Sequence, residues 1–150
     1  MPGNMMLARR IKDAVVPATT GKMGTYPTGT TASIEVDSSG SAGTAGNYTQ
    51  IVPVNTIASE IRITSVVVAG FEGTTRYTFT LSYGATSGAT LGTGGVELGT
   101  FSVHAGATAD AFVIPVSMAN IPANEKISIK SSVQSGANQH CDVAINYVTV

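Results

Sequence analysis

Residues 76–83 read Arg76-Tyr77-Thr78-Phe79-Thr80-Leu81-Ser82-Tyr83. In an extended chain Tyr77, Phe79, Leu81 and Tyr83 point to one side. Arg76, Thr78, Thr80 and Ser82 point to the other. Such strict period-two alternation predicts a strand with one buried and one solvated face.

Working outward, the same signal recurs from about residue 31 to the end. Ala32–Asp37, with Ile34 and Val36 inward, reads as a short strand. Thr49–Val54 reads as another, and Pro53 near its end points to a sheet edge. Glu60–Val68 carries Ile61 and Ile63 and then Val66, Val67 and Val68, an apolar run consistent with cover on both faces. Val96, Leu98, Phe101 and Val103 form a strand whose phase slips, which predicts a bulge near Gly99. Phe112, Ile114 and Val116 alternate, as do Ile127, Ile129 and Val133, and finally Cys141, Val143, Ile145 and Tyr147. Residues 38–47 and 84–95 are Gly-, Ser- and Thr-rich and read as exposed loops. About eight short strands with Gly-rich turns predict an all-β domain, an antiparallel β-sandwich or jelly roll, over residues 31–150.

Residues 1–30 differ from the rest and read as an N-terminal arm. Asn4 is a candidate cap, and Leu7, Ile11, Ala14 and Val15 fall at helical spacing up to Pro17, so residues 1–16 read as a short helix or an extended arm. Residues 17–31 read as a linker around Tyr26-Pro27. The arm holds Arg9, Arg10, Lys12 and Lys22 against Asp13, a local charge of +3, whereas residues 31–150 carry a local −4. A basic arm on an acidic body suits docking onto a neighbouring copy or an acidic partner.

Composition narrows the function. Hydrophobic residues are 43% of the chain, enough for a core, while charged residues are only 11%, less than half the usual share of about 25%. A net charge of −1 argues against a general nucleic-acid binder. No apolar run reaches membrane-spanning length, and Lys12 and Asp13 directly after Arg9 and Arg10 leave no apolar core for a signal peptide. Neither a membrane partner nor secretion through a signal peptide is therefore expected. Cys141 is the single cysteine and is in phase with Val143 and Ile145, as a buried structural thiol would be. The two histidines, His104 and His140, lack the further ligands a zinc site needs. His140 and Cys141 are neighbours pointing to opposite faces of a strand. Glu35, Glu60, Glu72, Glu97, Asp110 and Glu125 are scattered beside turns and form no evident acid–base pair. No Ser lies in a nucleophile elbow. The expectation is a non-enzymatic protein without cofactor or metal.

The Met-Pro-Gly-Asn start, the arm ending in Gly21-Lys22-Met23-Gly24-Thr25-Tyr26-Pro27-Thr28-Gly29, and the Thr/Gly/Ala-rich β-body resemble small structural proteins of tailed-bacteriophage virions, most of all capsid decoration (cement) proteins. The resemblance covers the whole chain and is one of style and composition. It implies a jelly-roll-like fold and a homo-oligomer, with a trimer favoured. It also implies that the major capsid protein or other virion proteins are the partners, and that the chain is made in the host cytoplasm and resides in the virion. The arm's candidate partner-binding residues are Leu7, Ile11, Val15 and Tyr26 as apolar contacts, with Arg9, Arg10 and Lys12 against an acidic surface. The alternative is a host-surface or carbohydrate-binding module of a head or tail fibre, attached through the arm.

Overall fold

The computed structural model describes residues 21–28, 33–106 and 111–150. The candidate helix in residues 1–16 lies outside these residues. Among them there are strands and no helix: β1 (Met23–Tyr26), β2 (Ile34–Asp37), β3 (Thr49–Val52), β4 (Ile61–Ala69), β5 (Arg76–Tyr83), β6 (Thr86–Ser87), β7 (Thr90–Leu91), β8 (Val96–His104), β9 (Ala111–Pro115), β10 (Ile127–Val133) and β11 (His140–Thr149). All eight strands expected from alternation are present. The additional ones are β1, from the segment read as linker, and the two-residue strands β6 and β7, from the second Gly-rich loop.

The strands form two sheets. One has the order β1-β11-β4-β9, with β2 also on β11; the other has the order β3-β10-β5-β8. Four antiparallel pairs nest inside one another: β5 with β8, β4 with β9, β3 with β10 and β2 with β11. They are the rungs of a single folded ribbon whose tip is the β6–β7 hairpin. Rolling that ribbon brings β10 against β5 and β11 against β4. This is the jelly roll, in which consecutive strands cross between sheets and each inner face buries the other.

The residues that begin the sequence argument fill its centre. Tyr77, Phe79 and Leu81 are fully buried. The Phe79 ring stacks 5.2 Å from Phe101 and 6.2 Å from Tyr77. Facing them are Ile61, Ile63, Val66 and Val68 of β4 and Cys141, Val143 and Ile145 of β11. The inward set of β4 changes phase between Ile63 and Val66 because Thr64 is an extra residue opposite the Asn146–Tyr147 step. The bulge expected near Gly99 is also present: Leu81 faces Gly99 and Ser82 faces Glu97, so Leu98 is the extra residue. Val67, read as covered, is only partly buried and lies in a row between Val113 and Ala144 on the outer face.

Cys141 packs in this core, with its sulfur 4.0 Å from the Val36 carbonyl. Burial pushes its thiol up to about 12, helped by the nearby carboxylates Asp142 and Asp37. Because the folded value lies above the unfolded one, this group's contribution to stability is complete below about pH 9 and is lost as the pH rises toward 12. Tyr77 acts in the same direction, its phenol also raised by burial. Wild-type stability, followed by urea titration between pH 8 and 11, is therefore expected to fall more steeply with pH than that of Cys141→Ala. Equal slopes would place the thiol in a solvated setting.

Candidate functional site

Three surface features could carry function. The first is the stem of the arm. Met23, Gly24, Thr25 and Tyr26 pair with Val148, Tyr147, Asn146 and Ile145. Gly24 crosses directly over the Tyr147 ring, where a Cβ would collide with it. Just ahead of β1, Gly21 N–H donates to the Thr149 carbonyl at 2.6 Å, Thr149 N–H donates to the Lys22 carbonyl at 2.9 Å, and Lys22 N–H donates to Thr149 Oγ1 at 3.0 Å. Thr25 Oγ1 donates to Asn146 Oδ1, and Asn146 Nδ2 donates to Ser65 Oγ, which ties the stem across three strands. Beside it lies a groove of about 230 Å³ lined by Met23, Ile57 and Tyr147. Residues 21–26 are thus fixed to the last residues of β11. Among the described residues the first strand, Met23–Tyr26, lies within the segment read as the arm.

The second feature is a carboxylate–histidine cluster. Glu35 and Asp37 alternate onto the outer face of β2, and the β2–β11 register sets them against Asp142 and His140. Ligand atoms of Glu35, Asp37 and His140 lie within 4.8 Å of one another. Glu72, from the β4–β5 turn, places Oε2 3.0 Å from His140 Nδ1. The donor set could meet a divalent cation. Glu35 and Asp37 are exposed and the His140–Glu72 pair is about half solvated, which is also how ordinary surface charges pair. In the sequence Glu35 and Glu72 read as scattered acids, and nothing there assembles this cluster. Pleating and register bring in residues 72 and 140.

The third feature is the ribbon tip. The β6–β7 hairpin is laid back on the outer face of the second sheet. Lys126 Nζ donates to Thr86 Oγ1 at 3.0 Å, Lys130 Nζ to the Ala89 carbonyl at 2.9 Å, and Tyr48 N–H to the Gly88 carbonyl at 2.8 Å. Lys130 also sits 4.7 Å from the centre of the Tyr48 ring, a cation–π contact. Ser82 and Ser128, outward in phase, are consequently fully buried. Residues 38–47 are tied as well, through Gly43 N–H to the Val133 carbonyl and Gly46 N–H to the Ser131 carbonyl. Both segments read as exposed loops are thus anchored, while residues 40–44 stay exposed and none of residues 84–95 is buried.

Of the residues nominated from sequence, Leu7, Arg9, Arg10, Ile11, Lys12 and Val15 lie outside the described residues. Tyr26 is in β1, partly buried against the chain's own core, so part of its ring already has an intramolecular partner. His140 and Cys141 do point to opposite faces. Among the described residues no helix is long and apolar enough to cross a membrane.

No protein-family model and no curated protein matches this chain. Among solved structures it is similar to that of infectious bursal disease virus Gx strain, with a TM-score of 0.48 and 12% identity over 87% of this chain and 33% of that one. It is similar to the infectious bursal disease virus VP2 subviral particle, with a TM-score of 0.44 and 12% identity over 90% and 36%. It is also similar to PirA, with a TM-score of 0.43 and 13% identity over 82% and 98%. The chain spans about a third of the length of the bursal disease virus chains. Likeness this loose transfers no ligand, activity or partner, and the jelly-roll assignment rests on the strand registers.

Proposed function

We propose that this chain is a non-enzymatic structural protein of a virus particle. In the sharper form of the proposal, it is a decoration or cement protein of a tailed bacteriophage that bridges major capsid subunits or other virion proteins. The observation that carries the reading is the clamped stem. Residues 1–20 precede a segment bonded into the sheet edge from Gly21, so they start from a fixed point at the end of β11. A rigid start lowers the entropy lost when an arm settles on a partner.

Charge and composition support the same reading. The arm gathers Arg9, Arg10 and Lys12 beside Leu7, Ile11 and Val15, and the body has few charges. Apolar contacts would supply affinity, and the basic groups would select an acidic face on the neighbouring subunit. The jelly roll recurs in capsid and lectin domains alike, and a fold by itself decides no function. The body serves here as the rigid mount.

A reconstruction of the particle carrying this chain tests the proposal. The stem at Gly21 is expected to face the shell, with density for residues 1–20 continuing over an adjacent subunit. A stem turned outward to solvent, with the opposite end of the body on the shell, would overturn it.

A further inference from the structure

We propose that β9 is a self-pairing edge, through which a second copy of this chain adds antiparallel to the β1-β11-β4-β9 sheet about a two-fold axis at Val113. This inference concerns the edge opposite the arm and does not rest on the capsid reading.

The backbone supplies the first argument. Val116 N–H donates to the Thr64 carbonyl at 3.0 Å, and the register continues with Ile114 opposite Val66 and Phe112 opposite Val68. In an antiparallel pair, bonded and non-bonded positions alternate. Phe112, Ile114 and Val116 therefore spend their backbone groups on β4. Ala111, Val113 and Pro115 aim theirs away from it. Proline has no N–H, and Pro115 falls at an outward position where a donor would otherwise remain unpaired.

The outward groups are self-complementary. With Val113 opposite Val113 of the second copy, each donates its N–H to the other's carbonyl. Ala111 N–H then meets the Pro115 carbonyl of the second copy, and the reverse, so the missing proline donor leaves the register intact. An isologous contact of this kind closes after two copies.

Charge selects a second copy as the occupant. With the axis at Val113, a charge at that position would face its own copy, and a charge elsewhere on this five-residue strand would lie close to its own copy across the axis. Ala111, Phe112, Val113, Ile114 and Pro115 carry none. Val113 is 64% exposed and Phe112 is 36% exposed. On the outer face, Val113 continues the row through Val67 to Ala144, and pairing would extend that row into the second copy. Three of the other edges are protected in the ways edge strands usually are. β8 carries Glu97, His104 and the bulge at Leu98. β2 carries Glu35 and Asp37, and β3 packs alongside β2 and is followed by Pro53.

Sedimentation velocity of the full chain from about 1 to 100 μM is expected to show a monomer–dimer equilibrium. Val113→Lys places two ammonium groups opposite each other and is expected to weaken association about tenfold or more, while the thermal midpoint of the dissociated monomer is unchanged because residue 113 is solvated. A bonded antiparallel pair holds its Cα atoms about 5.5 Å apart, within disulfide range. Val113→Cys is therefore expected to oxidise to a covalent dimer under conditions that leave the wild type, with Cys141 buried, uncrosslinked. A wild type that stays monomeric, a trimer, or self-association undiminished in Val113→Lys would each overturn the proposal.

Discussion

Phe79→Ala is expected to destabilise the chain by about 3–5 kcal/mol, among the largest losses for a single side chain here. Phe79 is fully buried in β5, in one cross-strand row with Phe101 on β8 and Ser131 on β10. Its ring contacts Phe101 at a centroid separation of 5.2 Å and lies against Tyr77 at 6.2 Å. Aromatic contacts of this type add about 0.5–1.5 kcal/mol beyond area burial. Truncation removes the ring and also leaves a void, because β5 is held between β10 and β8 and cannot collapse inward. Urea unfolding read by tyrosine fluorescence is the measurement. A loss below about 1 kcal/mol would mean that the two sheets are not packed through this row.

What could be read from the sequence, and what could not, follows from the range of the forces. Alternation is local. It exposed β5, β10 and β11 because their inward residues are large and their outward ones polar or small. The bulge at Leu98 was visible because a slipped phase is also local. The nesting of β2 with β11 and β3 with β10 was not visible, because it joins residues 75 to 109 positions apart. Met23–Tyr26 looked like linker because four residues beside a proline carry too little pattern, and the strand is made by β11 offering an edge. The anchoring of segment 84–95 was not visible because its partners, Lys126, Lys130 and Tyr48, lie far away in sequence. In the candidate site the same holds: Glu35 reads as one of several scattered acids, and its meeting with Asp37, Glu72 and His140 requires the folded register.

The second large effect separates two truncations that composition alone would treat as one. Removing residues 1–20 is expected to leave stability unchanged within about 0.5 kcal/mol, because it keeps the bonds that Gly21 and Lys22 make to Thr149. Removing residues 1–30 deletes β1. It strips Tyr26 from the core margin, uncovers Tyr147, and leaves Ile145–Val148 of β11 as a bare edge. Lost apolar burial and backbone bonds outweigh the ordering entropy recovered, for a net cost of about 2–3 kcal/mol. An exposed edge also invites aggregation. Thermal unfolding and light scattering of the two proteins distinguish these outcomes.

That difference decides how the central claim must be tested. A truncation at residue 30 damages the body, and its failure to bind would say nothing about the arm. Truncation at residue 20 leaves the mount whole. The direct measurement is co-sedimentation of the full chain, and of the chain lacking residues 1–20, with particles assembled without this protein. The full chain is expected to pellet at saturating stoichiometry and the truncated chain to remain in the supernatant while folded. Equal pelleting of both, or pelleting of neither, would contradict an arm that fastens the β-body to a virion neighbour.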